Sequence, residues 1–393
     1  MISVEQALSI LRKHAPQRGS ENVNLGEAYH RILALDIVAQ QDMPRFPASN
    51  MDGYAIRDGG KGEVLSVIGE SAAGHGFTGR LETGQAVRIF TGAVIPEGAD
   101  RVVLQENVTP TGESIRLKRA VKPGTHIRTV GSDFRSGEIL LAAGRCLSAG
   151  DLALAAASGC EHLSVRTNPR IAILETGDEL QRPGENLKNG GVTAANGFAL
   201  AAQLEAWGAQ IELQQIKPDR KTDIDSFIED TKTCDIIVTI GGASVGDFDI
   251  SGQTFLEAGF EMKFESVAVK PGKPCWFATR GKQVVLGLPG NPASAFVCAH
   301  LFLKPLLGLE NKYIAVSLCE KVEENGPRET YLRALLSVKD AQIFATPLIH
   351  QESYRLRPQS DADALIKVPP MGGPYKAGDT IDVLPISDGP AFW

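Results

Sequence analysis

Between residues 236 and 292, three short apolar runs each feed a turn built of glycine or proline. Residues 236–240 lead into Gly241, Gly242, Ser244, Gly246 and Asp247. Residues 267–269 lead into Lys270, Pro271, Gly272, Lys273 and Pro274, and residues 284–288 into Pro289, Gly290, Asn291 and Pro292. A strand that ends in a glycine turn lets the backbone approach a ligand closely, and a helix starting just afterwards aims free N–H groups at negative charge. The third turn carries the signals of such a helix. Asn291 is a favoured N-cap, Pro292 suits the first helical position, and residues 293–303 continue as an apolar helix with Ser294 in its first turn, facing the ligand. Lys270 and Lys273 sit beside these turns in a chain of net charge -7, so they read as a local positive focus and not as part of a basic surface. The cluster has the chemistry of an anion cradle.

Acidic side chains recur at the same kind of place. Asp178 and Glu179 follow the strand-like run 171–174 and a Thr176–Gly177 turn, and Asp247 and Asp249 follow the run 236–240. Carboxylates grouped with lysines serve oxygen ligation of a hard cation such as Mg²⁺, or orientation of an anionic group that the cation and lysines neutralise. A structural ion-pair network is the competing reading. Asp52 lies in residues 46–55, a turn-like stretch with aromatic and apolar neighbours, and is either an Asp-Gly turn residue or functional. Thr91 and Asp133 sit on further glycine turns with the same two readings. Residues 74–79 satisfy G-x-G-x-x-G but are not followed by a helix, and no Walker A pattern occurs, so neither dinucleotide nor triphosphate binding is supported.

The elements that must position these groups follow from composition and periodicity. With 393 residues, 43% hydrophobic and 22% charged, the chain divides into several domains. The apolar runs are too short to span a membrane and the N-terminus lacks a signal-peptide pattern, so a cytoplasmic protein is expected. An acidic pI near 5.6 without a basic or aromatic stripe argues against nucleic acid. The six cysteines are scattered, without a C-x-x-C pair or zinc spacing, and are expected to be reduced. Ser3 and Gln6 form a capping box ahead of Val4, Ala7, Leu8 and Leu11 on one helical face. Residues 63–141 are short β-rich runs, residues 149–158 helical, and residues 171–309 alternate strand and helix. That alternation predicts a parallel sheet with helices on both faces, with all three glycine turns at the carboxyl ends of its strands. From residue 312 onward β-rich segments predict a barrel-like domain.

The ordered set of motifs resembles the MoeA family of molybdopterin molybdotransferases, which includes the C-terminal domain of gephyrin. The resemblance runs through Pro44, Phe46, Ser49 and 51–55, then Thr91 to Asp100, Gly131 with Asp133, residues 176–180, 241–247, 270–274 and 288–292, and so covers almost the whole chain. It implies a multidomain α/β plus β fold: an elongated four-domain subunit with a central three-layer α/β molybdopterin-binding domain. The expected parts are a discontinuous linker and dimerisation domain (1–45 and 135–168), an inserted β-rich domain (46–134), the α/β domain (169–311) and a C-terminal β-barrel domain (312–393). It also implies a cytoplasmic homodimer that takes adenylylated molybdopterin, releases AMP and inserts molybdate with the help of Mg²⁺. Molybdopterin adenylyltransferase and molybdoenzyme-maturation proteins are the implied further partners.

Matched position by position, the resemblance makes Asp52, Thr91, Asp133, Asp178, Glu179, Asp249, Lys270 and Lys273 the catalytic candidates. Asp52, Thr91 and Asp133 would reach the cleft from the partner subunit or adjoining domains. Asp247 and Asp249 would arrange Mg²⁺. Cofactor binding falls to Asn196, Asp219, Gly241, Gly242, Ser244 and Gly246, to Pro289, Gly290, Asn291, Pro292 and Ser294, and to Arg333 and Ser353. Among these Lys270, Lys273, Ser244, Ser294 and Arg333 match positions associated with the anion or the pterin phosphate. The chain departs from the family pattern at Ala194, where many members have Asp or Ser, and at Ser266, where they commonly have Lys or Arg. Arg355 and Arg357 beside Ser353 are candidates to replace the charge missing at Ser266. A second reading is therefore a catalytically weak paralogue that binds molybdopterin or molybdenum cofactor as a carrier or assembly protein.

Overall fold

The computed structural model describes residues 1–242 and 250–386. The chain forms two compact units, one of residues 20–166 and the other of residues 1–19 with the chain from 167 onward. Helix α1 (Val4–His14) opens as the sequence predicts: Gln6 N–H donates to Ser3 Oγ at 3.1 Å and Ser3 N–H to the Gln6 side chain at 2.9 Å. Its stripe of Val4, Ala7 and Leu11 is buried in one core with Ile171, Val238 and Leu286. Hence the expected first segment, 1–45, is divided: residues 1–19 go with the α/β core because that is where the apolar face of α1 is covered.

The unit of residues 20–166 is built on β1 (Gly53–Ile56), β2 (Val64–Ser71), β3 (Gln85–Ile89), β4 (Arg101–Leu104), β5 (Val108–Thr111) and β6 (Ser114–Leu117). They form one sheet in the order β4-β1-β3-β2-β6-β5, antiparallel except for β2 against β3. Alternate residues feed two cores. Ala55, Val87 and Val102 enter one, and Ile56, Ala86 and Val103 the other. Helix α2 (Ala149–Ala157) covers a third cluster with Leu33, Leu147 and Val165.

In the other unit the chain alternates as expected through β7 (Arg170–Thr176), α3 (Asn196–Ala206), β8 (Gln210–Lys217), α4 (Lys221–Asp230), β9 (Ile236–Ile240) and α5 (Ile250–Glu257). It continues through β10 (Glu261–Phe264), β11 (Val269–Lys270), β12 (Trp276–Arg280), β13 (Gln283–Leu288) and α6 (Pro292–Cys298). The sheet order is β8-β7-β9-β13-β12-β10. β8, β7, β9 and β13 are parallel, whereas β12 and β10 run antiparallel, so the sheet is mixed and not all parallel. The reversal comes from a tight hairpin between β12 and β13 in which Gly281 takes φ +61°. Ile171, Ile173 and Val238 face one helical layer with α3 and α6, and Ala172, Leu174 and Ile237 face the other with α4 and α5. Burying each such large side chain stabilises by about 1.5–3 kcal/mol. The helix expected over 293–303 is α6 followed by a π-helical turn, Ala299–Leu303.

The lysine-bearing strand β11 is not in this sheet, contrary to expectation. It is two residues long and adds in parallel to β15 (Glu329–Lys339), a strand of the C-terminal domain. Pro271 follows at once and has no N–H to donate, so the run cannot extend a central ladder. The C-terminal strands β14 (Ile314–Leu318), β15, β16 (Gln342–Pro347), β17 (Ala364–Val368) and β18 (Thr380–Pro385) pair in the order β15-β16-β14-β18-β17. Pairing of β15 with β17 closes the ring into a five-stranded barrel, and the short helix α7 (Arg357–Asp361) lies between β16 and β17 in the chain.

Candidate functional site

A cleft of about 820 Å³ opens at the carboxyl ends of β7, β9 and β13. Glu175 and Thr176 line it from β7, Gly241 and Gly242 from the turn after β9, and Pro289 to Pro292 from the turn after β13. Asn196 and Asp219 add to its wall, and Tyr354 and Leu356 close it from the C-terminal domain. Two of the three glycine turns are therefore at sheet ends, as the sequence predicts. The glycines serve backbone packing there. Gly241 has φ +94° and a Cβ on it would lie 2.3 Å from the Thr176 carbonyl oxygen, while one on Gly242 would lie 2.3 Å from Ser251 Oγ. Asn196 Nδ2 donates to the Gly290 carbonyl at 2.8 Å, tying the start of α3 to the turn after β13.

Several buried polar atoms here have no hydrogen-bond partner among the described residues: Thr176 Oγ1, Asp219 Oδ1 and Glu175 Oε1 of the cleft lining, and Ser251 Oγ beside the Gly242 turn. Burial pushes the Asp219 carboxyl up from its ordinary pKa, the Thr176 hydroxyl opposes this, and the Glu179 and Asp178 carboxylates push it further up. Asp178 and Glu179 are exposed, and Glu179 lines the cleft. Sequence reasoning missed Glu175, which is 2% exposed. Burial raises its pKa, and the amides of Gly197 and Asn196 at the start of α3 partly offset the rise. Since Ala195 supplies no side-chain cap to α3, Glu175 takes that role from the neighbouring strand. The available signal was one carboxylate inside an otherwise apolar buried strand.

Lys270 and Lys273 are exposed and make no ion pair among the described residues, and of their turn only Pro274 lines the cleft. The turn is fastened to α6: Gly272 has φ +119°, and a Cβ there would lie 2.2 Å from Cys298 Sγ. Helix α6 is less open to a ligand than its sequence suggests. Asn291 makes no side-chain cap, the Ala293 N–H donates to the Ser353 carbonyl at 2.9 Å, and Ser294 is buried away from the cleft lining. Arg333, implied as an anion contact, is 2% exposed and spends its guanidinium on three carbonyls: Arg355 at 3.1 Å, His350 at 3.2 Å and Glu352 at 3.1 Å. It thereby fastens the loop that brings Ser353 to α6 and Tyr354 and Leu356 to the cleft. The two departures from the family pattern have local roles. Ala194 is buried in the cleft wall, and the Ser266 carbonyl accepts from Ile2 N–H at 3.1 Å. Of the two nearby arginines, Arg355 ion-pairs with Glu352 at 3.1 Å, and Arg357 has no ion-pair partner among the described residues.

In the unit of residues 20–166, the structure brings Asp52 and Thr91 together. Asp52 Oδ1 accepts from Thr91 N–H at 2.8 Å and from its hydroxyl at 2.9 Å, which holds the exposed carboxyl below its ordinary pKa. Asp133 is exposed, with its N–H donating to the Met43 carbonyl at 2.9 Å. Ser244, Gly246, Asp247 and Asp249 lie outside the described residues. Among the described residues no three His, Cys, Asp or Glu gather to hold a metal ion, and no helix is long and apolar enough to cross a membrane.

Three family profiles match the chain in succession: the MoeA N-terminal region (domain I and II) over residues 2–159, a probable molybdopterin binding domain over 172–308, and the MoeA C-terminal region (domain IV) over 315–386. The chain is 34% identical to a molybdopterin molybdenumtransferase of Nostoc sp., with 86% of this chain and 83% of that protein covered. The chain belongs to the MoeA family. A molybdopterin molybdenumtransferase of Haemophilus influenzae is 36% identical, with 78% of this chain and 77% of that one covered. A crystal structure of the molybdopterin biosynthesis MoeA protein of Pyrococcus horikoshii superposes with a TM-score of 0.85 at 27% identity, covering 98% of this chain and all of the other. The β-rich N-terminal part, the mixed α/β domain and the closed barrel are thus the MoeA architecture.

Proposed function

We propose that this chain, by family a molybdopterin molybdenumtransferase of molybdenum cofactor biosynthesis, inserts molybdate into adenylylated molybdopterin with release of AMP. The observation that carries the reading is the cleft lining, where Thr176, Asp219 and Glu175 hold buried polar atoms without a partner among the described residues, as does Ser251 beside Gly242. Such atoms need a polar ligand, and the unused cations Lys270 and Lys273 on the adjacent turn suit an oxyanion. Glu179 and Asp219 are hard oxygen donors of the kind Mg²⁺ takes, and with Asp247 and Asp249 they would hold it, where it neutralises phosphoanhydride charge. The carboxyl of Asp219 orients the water that attacks the phosphoanhydride, while the glycine turns keep the phosphates against backbone N–H groups. Asp52, with its carboxylate fixed by Thr91, and Asp133 are assigned to completing this site in a homodimer.

Purified protein incubated with adenylylated molybdopterin, Mg²⁺ and molybdate is expected to release AMP as molybdenum cofactor forms. Asp219→Asn should slow AMP release about 10²-fold or more with little change in thermal midpoint. Tight binding of the substrate without AMP release would sink the enzyme reading and leave the carrier reading.

A further inference from the structure

A second cavity, of about 400 Å³, adjoins the cleft between α3, α6 and α7. Asn196, Ile240, Pro292 and Leu356 belong to the walls of both. Its remaining surface is mostly apolar, from Ala199 and Leu200 of α3 and Ala295, Phe296 and Ala299 of the α6 segment. Gln203, Arg357 and Ser360 line it as well. Gln359 of α7 is set apart because its Nε2 and Oε1 atoms are both buried without a hydrogen-bond partner among the described residues. A carboxamide carries two donors and a two-lone-pair acceptor, so leaving all of them unused in the interior is costly unless a ligand supplies the match.

We infer that this cavity seats the fused-ring heterocycle of the substrate, with the Gln359 carboxamide reading its hydrogen-bonding edge while the phosphate end lies in the neighbouring cleft. The inference rests on the proposed substrate, and it adds which end goes where and which residue selects it. A mostly apolar slot walled by Phe296, in which an unpartnered carboxamide offers a donor beside an acceptor, is the chemistry that binds a flat heterocycle whose rim bears an N–H beside a carbonyl or ring nitrogen. Both the pterin and the adenine of the adenylylated substrate answer to that description. The pterin is favoured, because α3 and α6 lie within residues 172–308, the span that matches the probable molybdopterin binding domain. Placing Gln359 on α7 makes the C-terminal domain part of substrate selection and not only a neighbour of it.

The test uses the full chain and two probes, 6-hydroxymethylpterin followed by its fluorescence and AMP followed by calorimetry. Gln359→Leu keeps the size of the side chain and removes both polar atoms, and Ala199→Trp fills the cavity from the opposite helix. Either change is expected to weaken pterin binding about 10-fold or more while leaving AMP binding unchanged. Because the carboxamide has no partner among the described residues, Gln359→Leu should not lower the thermal midpoint, which a merely structural residue would do. Loss of AMP binding with pterin binding intact would overturn the pterin assignment in favour of adenine. Unchanged binding of both probes in both variants would overturn the heterocycle seat altogether. A wild-type chain that releases AMP while Gln359→Leu retains its KM would overturn this inference and leave the proposed function standing. A wild-type chain that fails to release AMP but loses pterin binding on substitution would do the reverse.

Discussion

Arg333 and Glu175 each secure a different element that lines the cleft, and they differ in how far their hydrogen-bonding capacity is used. Arg333 gives its guanidinium to the carbonyls of His350, Glu352 and Arg355, while the Gln351 side chain bridges back to the Arg333 backbone in both directions at 3.0 and 2.9 Å. Glu175 meets the start of α3 but keeps Oε1 without a partner. A guanidinium stays charged throughout the accessible pH range, so on that side a fixed cation orders a loop. A buried carboxyl is held back from ionising, so on the other side the fastening is made by a group whose charge depends on pH. One fastening uses a fixed charge, and the other a carboxyl with an acceptor atom left over.

The largest loss is expected at Arg333. Arg333→Met removes every donor from three carbonyls and is expected to cost about 3–5 kcal/mol in the unfolding free energy of the unit that contains the barrel, read by urea denaturation. Arg333→Lys should recover only part, because a point charge cannot fork to three acceptors. If Arg333→Met left the unfolding transition in place and raised only the molybdate requirement, the guanidinium would be an anion ligand after all. A smaller effect is expected on the other wall from Gly197→Ala. The new Cβ would stand 2.2 Å from Glu175 Oε1, so the carboxyl must leave the start of α3, at about 1–3 kcal/mol. Pairing it with Glu175→Ala should relieve most of that cost, and a double-mutant cycle in which the two costs simply add would show that Glu175 does not hold α3.

The elements of this site were legible because each carried its own signal. The buried strands β9 and β13 are unbroken apolar runs, α1 begins with a capping box, and turns rich in glycine stand where β9 and β13 end. What the chain does not spell out is which surface a local feature meets. The glycine that a phosphate would require at 241 or 272 is also what the Thr176 carbonyl or Cys298 Sγ requires, and the residue type is the same. β11 looks like its neighbours in composition but is too short to hold a place in the sheet, and its partner is a strand more than fifty residues onward. Arg333 suits an oxyanion or a set of carbonyls equally well by chemistry, and only burial separates the two. The unused carboxamide of Gln359 is invisible in sequence because an amide on a short helix is ordinarily solvated.

The finest test of the two walls is the pH dependence of Glu175→Gln. The folded-state pKa of Glu175 lies above the ordinary 4.5, so below that value the carboxyl is protonated in both the folded and the unfolded chain, and glutamine mimics it closely. As the pH rises through 4.5 the unfolded chain ionises first, and the wild type loses stability that the variant keeps. That loss grows up to the raised pKa and is constant above it, at about 1.4 kcal/mol for each unit by which the pKa is raised. The thermal midpoint of Glu175→Gln, measured relative to wild type from pH 4 to pH 8, should therefore climb and then level. Arg333→Lys, compared in the same way, should show no such trend, because neither side chain titrates in that range. A Glu175→Gln advantage that shrinks with rising pH would mean that the amides of α3 outweigh burial and keep Glu175 ionised, which would make both walls fixed-charge fastenings.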